Sequence, residues 1–210
     1  MGKIFCLMGK SASGKDTIAK EILKNSELKS IVLFTTRPIR TGEVNGRDYY
    51  FVTQEEFDRL ELDGKVIEKR VYHTAHGPWT YATVNENNVF DLENNNYFIL
   101  NTLEGYKKLT SYFGCDTVIP IYIWVPFEKR LDRAFSREEQ QENPKYKELC
   151  RRFIMDEIDF SEEKLIDATI LDENRYLNDD LEECLNAIKD TIYSSLKEKK
   201  EKTRKIGVIS

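Results

Sequence analysis

The sequence predicts an α/β protein built on a parallel sheet that is covered by helices. Strand-like apolar runs alternate with helix-like runs along most of the 210 residues, and this alternation is typical of parallel sheets. The first apolar run, residues 4–8, leads directly into a glycine-containing loop and then a helix-like run. The length suits one domain with small inserted subdomains.

The core strands are predicted near residues 4–8, 30–34, 97–101, 118–124 and 168–171. Helices are predicted at residues 15–25, 103–112, 127–137 and 178–198. The rhythm changes between residues 35 and 84, where short apolar runs at 49–52, 66–67 and 79–81 predict the strands of a smaller mixed insertion. Residues 126–160 are highly charged and helix-like, and Pro144 interrupts them.

The composition argues against several classes of protein. Apolar residues make up 40% of the chain and charged residues 33%, as in ordinary globular domains. The net charge of −5 argues against a nucleic-acid-binding protein, which would carry a basic excess. No apolar run approaches a membrane span, and the first residues lack the pattern of a signal peptide. The cysteines are widely spaced, so we expect free thiols and a cytoplasmic location.

A phosphate-binding loop is predicted where the first strand ends. A G-x-x-x-x-G-K sequence between a strand and a helix binds nucleotide phosphates through backbone N–H groups and the positive end of the helix. Gly9 and Gly14 let the backbone approach the phosphate oxygens, and Lys15 adds a positive charge. An ordinary glycine turn is the alternative. The expected nucleotide-binding residues are Gly9, Lys10, Ser11, Ala12, Ser13, Gly14, Lys15, Asp16 and Thr17.

The residue after the loop lysine differs from the usual pattern, in which a Ser or Thr hydroxyl holds Mg²⁺. Asp16 stands at that position and Thr17 follows it. Asp16 could ligate Mg²⁺ through its carboxylate, repel the phosphates, or favour the start of the helix through its charge. The sequence leaves these alternatives open, with Asp16 and Thr17 as the candidate Mg²⁺ ligands.

A second anion site is predicted in residues 35–51, Thr-Thr-Arg-Pro-Ile-Arg-Thr-Gly-Glu-Val-Asn-Gly-Arg-Asp-Tyr-Tyr-Phe. Arg37 and Arg40 lie three residues apart on an extended segment and can converge on one phosphate, for which arginine has a suitable fork of donors. Tyr49 can add a hydroxyl donor. A surface arginine loop is the alternative. Two phosphate sites in one small α/β domain suggest phosphoryl transfer between two nucleotides.

The chain resembles the guanylate kinases over most of residues 1–193, and the segment T-T-R-P-x-R-x-G-E-x-N-G-x-D-Y-x-F is the most diagnostic part of the resemblance. The resemblance implies that Arg37, Arg40 and Tyr49 hold the phosphate of GMP. It implies that Glu68 accepts hydrogen bonds from guanine N1–H and the N2 amine. Tyr81 is implied to contact the phosphate and Thr83 the base, through an alignment that needs an insertion around residues 73–78.

The charged helical region resembles the arginine-bearing lid of that family. Arg130-Leu131 resembles the start of its R-L-x-x-R sequence, Ala134 stands where the next arginine would be, and Arg133 and Arg137 lie nearby. Arg151-Arg152 resembles the third lid arginine, and Arg152 is the closer match. Interleaved glutamates leave a solvated helix face as the alternative. The resemblance implies this set of catalytic residues: Lys15, Arg37, Arg130, Arg137 and Arg152.

Two positions depart from the family pattern. Leu33 replaces a serine, so one phosphate donor is missing, and Thr102 replaces the acid that contacts the base. Asn101 or Glu104 could take part instead, and Asn101 and Thr102 are therefore included among the expected GMP-binding residues. An acceptor other than GMP, such as dGMP or another nucleoside monophosphate, stays open.

The resemblance implies a three-layer α/β/α fold of the P-loop NTPase type that transfers phosphate from ATP, with Mg²⁺, to GMP. The expected parts are a core (1–34, 84–125 and 165–196), a GMP-binding insertion (35–83), a lid (126–164) and a charged tail (197–210). The expected partners are the two nucleotides, with no nucleic acid or membrane, in a monomer or homodimer. A non-catalytic, phosphopeptide-binding relative of the family is the remaining alternative, although such modules typically degrade the phosphate loop.

Overall fold

The protein is described by a computed structural model that covers residues 1–24, 26–74, 77–86 and 89–206. Its strands are β1 (Ile4–Gly9), β2 (Lys29–Ser30), β3 (Phe34–Thr35), β4 (Tyr50–Phe51), β5 (Val66–Thr74), β6 (Gly77–Val84), β7 (Tyr97–Leu100), β8 (Val118–Trp124) and β9 (Arg175–Leu177). Its helices are α1 (Lys15–Lys24), α2 (Gln54–Leu62), α3 (Leu103–Phe113), α4 (Phe127–Glu139), α5 (Tyr146–Asp159), α6 (Glu162–Asp167) and α7 (Leu181–Ile206).

The core sheet is parallel, with the strand order β2-β7-β1-β8-β9. Strand β1 lies at its centre and is buried along its whole length. Successive side chains of a strand point to opposite faces. Ile4, Cys6 and Met8 therefore pack into the apolar cluster that includes residues of α3 and α6, whereas Phe5 and Leu7 pack against residues of α1 and α7. The three-layer α/β/α arrangement predicted from the sequence is confirmed.

Two predicted core strands differ from the structure. The predicted strand at 30–34 is divided, because Lys29–Ser30 pairs with β7 while Phe34–Thr35 pairs in a second sheet. The predicted strand at 168–171 is wrong: this segment follows α6, Thr169 adopts a φ of 59°, and the fully buried Ile170 fills the core. The fifth strand of the core sheet is β9 instead, which pairs with β8.

The insertion forms a four-stranded mixed sheet in the order β4-β3-β6-β5. The predicted short strands at 66–67 and 79–81 belong to a longer antiparallel pair, β5 and β6. Helix α2 packs Phe57 and Leu60 against this sheet. A capping box fixes the start of α2, since the Thr53 hydroxyl accepts from Glu56 N and the Glu56 carboxylate accepts from Thr53 N.

The charged region forms two helices, α4 and α5, and Pro144 lies between them as expected. Ala134 of α4 packs against Leu149 and Phe153 of α5. Within the described residues, no helix has both the length and the apolar character that crossing a bilayer requires.

Candidate functional site

The loop that follows β1, where the sequence predicts phosphate binding, requires glycine at two positions. A Cβ atom at Gly9 would lie 2.7 Å from Ser13 Oγ and 2.9 Å from the Ile123 carbonyl oxygen, so only glycine fits. Gly14 has a φ of 87°, which L side chains rarely adopt. Helix α1 begins at Lys15, so the free N–H groups of its first turn lie where the loop ends.

A residue far away in the sequence, Asn178, stabilises the loop by a hydrogen bond. Asn178, which follows β9, donates from Nδ2 to the Ser13 carbonyl oxygen at 2.7 Å. A Cβ at Gly14 would lie 2.4 Å from the same amide nitrogen. The Ser13 hydroxyl is buried and has no hydrogen-bond partner among the described residues. These contacts hold one conformation of the loop.

Helix α5 places two carboxylates against the same loop. Asp156 Oδ2 accepts from the backbone N–H of Ser11 at 2.7 Å, and Glu157 pairs with Lys10 at 2.5 Å. Glu157 also accepts from Arg130 Nη2 at 2.6 Å. Burial acts to raise the pKa of Glu157, but the hydrogen bonds from Lys10 and Arg130 outweigh it, and the net effect is a lowered pKa.

Arg130 joins α4, α5 and the phosphate loop. It is 2% exposed, its Nε donates to the Val125 carbonyl oxygen at 3.3 Å, and its Nη1 lies 3.5 Å from the Ser11 carbonyl oxygen. Its guanidinium carbon lies 5.5 Å from the ring centre of Phe127 and 5.2 Å from that of Phe153. The arginine therefore holds the two helices to the loop.

A cleft of about 570 Å³ opens between the phosphate loop, the mixed sheet and α5. It brings together eight of the residues that the sequence singled out: Lys15, Asp16, Arg40, Tyr49, Tyr81, Asn101, Thr102 and Arg152. Leu33, Arg70, Tyr72, Trp79, Leu100, Glu148 and Arg151 complete its lining. Arg152 lines the cleft, and its Nε atom is buried without a hydrogen-bond partner among the described residues.

Arg37 lies just behind the cleft wall, in contact with residues that line it. It forms a bidentate ion pair with Glu43, at 2.7 Å and 2.5 Å, and its Nε donates to the Tyr81 hydroxyl at 3.1 Å. Its guanidinium carbon lies 5.1 Å from the ring centre of Tyr49. The hydrogen bonds from Arg37 lower the pKa of Glu43 from 4.5 to about 2, and burial raises the pKa of Tyr49.

Behind the other end of the cleft lies a buried carboxylate, that of Glu68, whose side chain has no exposed surface. Its Oε1 accepts from Thr83 Oγ1 at 2.7 Å and from Asn101 Nδ2 at 3.5 Å. Arg70 reaches both carboxylate oxygens at 3.2 Å and also donates to Thr102 Oγ1 at 3.2 Å. These residues form a polar cluster, which we call the Glu68 cluster, defined by Glu68, Arg70, Thr83, Asn101 and Thr102.

Other predicted residues do not line the cleft. Glu68 and Thr83 are buried behind Arg70, while Arg130 lies between α4, α5 and the loop. Thr17 is exposed on α1, and Arg137 is exposed on α4. The roles that the resemblance implies for all of these residues stay predictions.

Arg70 is a charged cleft residue that the sequence did not single out. It lies two positions after Glu68 on β5, and side chains at i and i+2 of a strand lie on one face. This spacing was a usable signal once Glu68 had been singled out. Glu148 forms an ion pair with Arg151 at 2.7 Å on α5. Glu148 gave no comparable signal, because its region has the pattern of an ordinary charged helix.

Known proteins share this arrangement of elements. The statistical model of the family described as guanylate kinase matches residues 1–195. A guanylate kinase from Nostoc sp. is 30% identical over 195 residues, which cover 91% of this chain and 90% of that protein. A guanylate kinase from Malacoplasma penetrans is 27% identical, with 95% of this chain and 96% of that protein covered. A crystal structure of guanylate kinase from Anaplasma phagocytophilum has a TM-score of 0.66 at 23% identity, covering 92% of this chain and 85% of that one.

The structural neighbour supports the fold, and the sequence matches extend from the phosphate loop to α7. The family model spans both predicted phosphate sites, the charged helices α4 and α5, and the first part of α7. The relatives are matched along nearly their whole length, so the likeness is not confined to the widespread phosphate loop. The chain belongs to the guanylate kinase family.

Proposed function

We infer that this protein catalyses the ATP-dependent phosphorylation of GMP. The observation that carries this inference is the single cleft in which Lys15 and Asp16 of the phosphate loop face Arg40, Tyr49 and the Glu68 cluster. Phosphoryl transfer between two nucleotides needs the two phosphates to meet in one space. A phosphate loop with no second anion site facing it would not meet this requirement.

In this proposal the acceptor lies across the mixed sheet. The phosphate of GMP binds near Arg40, Tyr49 and Tyr81, which line the cleft close to Arg37. The guanine lies at the end that contains Glu68 and Thr102. The domain limits predicted from the sequence follow the same division, with GMP in residues 35–83, ATP on the core and a lid at 126–164.

Catalysis consists of positioning and of charge neutralisation. The acceptor is already an anionic phosphate oxygen, so no strong general base is needed. Lys15 neutralises charge on the ATP phosphates, and Arg152, which lines the same cleft, adds a positive charge near the transferring group. Arg130 keeps α4 and α5 against the phosphate loop. Water is excluded when the lid helices cover the cleft, which suppresses hydrolysis of ATP.

Mg²⁺ is proposed to accompany ATP. Asp16 presents a carboxylate at the cleft directly beside Lys15, and hard cations prefer such oxygen ligands. Mg²⁺ in kinases commonly takes one or two protein oxygens together with phosphate oxygens and water, so Asp16 alone is a sufficient protein ligand. Thr17 is a weaker candidate, since it does not line the cleft. When bound, the ion neutralises charge on the phosphate oxygens.

The experiment is to measure Mg²⁺- and ATP-dependent ADP formation with GMP, dGMP, AMP, CMP and UMP offered separately. We expect GMP to be strongly preferred. Preference for another acceptor would retain the phosphoryl transfer and overturn the substrate. The absence of turnover with all five nucleotides would overturn the proposed function, and phosphopeptide binding would then be measured.

A further inference from the structure

We propose that Arg70 reads the guanine base, by donating hydrogen bonds to its O6 and N7 atoms beside Glu68. This inference rests on the proposed function, because it concerns the acceptor site of the same reaction. Neither the resemblance nor the sequence pattern gives Arg70 a role. The argument depends on which hydrogen-bonding groups of the Glu68 cluster are already occupied and which remain for a ligand.

Arg70 is the part of this cluster that the ligand meets. Its side chain is 11% exposed and lines the cleft, whereas the side chain of Glu68 has no exposed surface. An arginine side chain has five N–H donors in a planar fork. Three are used: Nε and Nη2 bind Glu68, and Nη1 binds Thr102. One N–H on each terminal nitrogen therefore has no acceptor among the described residues.

Neighbouring groups hold the guanidinium in a fixed plane. The Glu68 carboxylate binds one edge of it, and Thr102 Oγ1 binds a second. Thr102 is itself fixed as the N-cap of α3, because its hydroxyl accepts from Gly105 N at 3.2 Å. A donor pair held in this way can recognise a planar ligand with two adjacent acceptors at little cost in side-chain entropy.

The charge next to Arg70 indicates a neutral ligand at this end of the cleft. Glu68 lies 3.2 Å from Arg70, and a phosphate that bound Arg70 would also face this buried carboxylate. Like charges so close together in a poorly solvated site repel strongly. A purine base carries no charge and avoids this conflict. The phosphate has a better site near Arg40, Tyr49 and Tyr81.

The two adjacent acceptors of guanine match the two remaining donors of Arg70. Its N1–H and N2 amine are donors, and its adjacent O6 and N7 atoms are acceptors. Glu68 Oε1 already accepts three hydrogen bonds, whereas Oε2 accepts one, from Arg70 Nε, among the described residues. Arg70 can donate to O6 and N7 with its two remaining N–H groups, while the buried Glu68 carboxylate fixes the orientation of the guanidinium. Adenine carries an amine at position 6, which would face the donors of Arg70.

The assignment also explains how Thr102 is accommodated. A carboxylate at position 102 would be a second base-contacting acid, but here the position carries a hydroxyl that accepts from Arg70. In this protein, specificity for a 6-oxopurine therefore depends on the two free N–H donors of Arg70 on β5 and not on an acidic residue at position 102. Thr102 acts as a positioning residue for Arg70.

The test uses an altered substrate together with altered enzymes. In 7-deaza-GMP a carbon replaces N7, so one acceptor is lost while the phosphate and the N1–H edge are kept. We expect the wild-type kcat/KM to be about 10-fold lower with 7-deaza-GMP than with GMP, as for the loss of one hydrogen bond to a charged group. In Arg70→Met this ratio should fall to about one, and the GMP preference over AMP should fall about 10- to 100-fold.

Controls separate base reading from folding. Arg70→Met leaves the buried Glu68 carboxylate without its ion pair, which can destabilise the fold. The double variant Glu68→Gln/Arg70→Met removes both charges and should likewise lose the sensitivity to N7. The matched control is Lys69→Ala. Lys69 lies between Glu68 and Arg70 on β5, is exposed and pairs with Glu61 outside the cleft. It should keep both ratios.

The outcomes are distinguishable. Equal wild-type use of GMP and 7-deaza-GMP, or a full N7 penalty in the folded variants, would overturn the role of Arg70 and leave the kinase intact. A purely structural Arg70 would lower turnover of all substrates alike, with unchanged ratios, and this result would also overturn the assignment. Wild-type enzyme that does not phosphorylate GMP at all would refute the proposed function and the role of Arg70 with it.

Discussion

The ion pair between Arg37 and Glu43 predicts how the stability of this protein responds to acid. Arg37 is 4% exposed, and Glu43 receives two hydrogen bonds from its guanidinium and one, at 2.8 Å, from Arg40 N. The perturbation is Glu43→Gln, which removes the charge and keeps the size of the side chain. We expect the variant to be less stable than the wild type at neutral pH.

The magnitude follows from the pKa of Glu43, which the hydrogen bonds from Arg37 lower from 4.5 to about 2. A difference of this size corresponds to roughly 3 kcal/mol at about 1.4 kcal/mol for each pH unit. The Glu43 side chain is 21% exposed, so solvent screening reduces the expected contribution to about 1–2 kcal/mol. Because the folded pKa is the lower one, this contribution is complete above pH 4.5 and is lost as the pH falls towards 2.

The assay is urea denaturation of both proteins at several pH values between 7 and 3. The free energies of unfolding should differ by about 1–2 kcal/mol at pH 7, and the difference should shrink steadily below pH 4.5. Glu139→Gln, at the exposed end of α4, is the control for losing one carboxylate and should change stability by less than about 0.5 kcal/mol. A difference that stays constant from pH 7 to pH 3 would refute the reasoning.

Three further predictions concern the phosphate loop and the cysteines. Lys15→Met should abolish turnover and leave GMP binding nearly unchanged by calorimetry, because the acceptor occupies another part of the cleft; lost GMP affinity in a folded variant would contradict two separate sites. Asp156→Asn should tighten ATP binding about 5-fold in a fluorescent-nucleotide titration, because Asp156 now competes for the Ser11 N–H; unchanged or weaker binding would mean that no phosphate takes this N–H. Ellman's reagent should react quickly with the exposed Cys115 and Cys150 and slowly with the buried Cys6 and Cys184, whose pKa values are raised by burial; four fast thiols in the native protein would show that the core opens readily.

The parallel core could be predicted because its signals are local. Three signals follow one another closely in the sequence: the apolar run of β1, the two loop glycines and the start of α1. Each of them predicts one element of the structure. The same holds for Pro144, which separates α4 from α5. The prediction failed at 168–171, where the apolar Ile170 fills the core after a helix rather than within a strand. A buried apolar residue alone does not distinguish these two cases.

The sequence indicated many residues of the candidate site but few of the contacts between them. Asp156 and Ser11 are separated by 145 positions, and nothing in a charged helix indicates that one of its carboxylates will bind a loop amide. Arg37 is similarly buried beside Tyr81 because it pairs with Glu43. This ion pair forms only when the segment folds, and the sequence does not indicate it. Arg70 could be predicted in part. Its spacing from Glu68 is visible in the sequence, but the hydrogen bonds of Arg70 to Thr102 and of Thr83 to Glu68 are not.

The central position of β1 has a consequence for the order of events during synthesis. Ile4 pairs with Tyr97 and with Val118, so β1 has no partners in the core sheet until the much later strands β7 and β8 have been made. Asn178, which supports the phosphate loop, follows later still. At about 5–20 residues per second, the loop spends on the order of ten seconds without its support. The nascent chain therefore exposes the strongly apolar strand β1 until its neighbours in the sheet have been made, and this is the interval in which a chaperone would protect it.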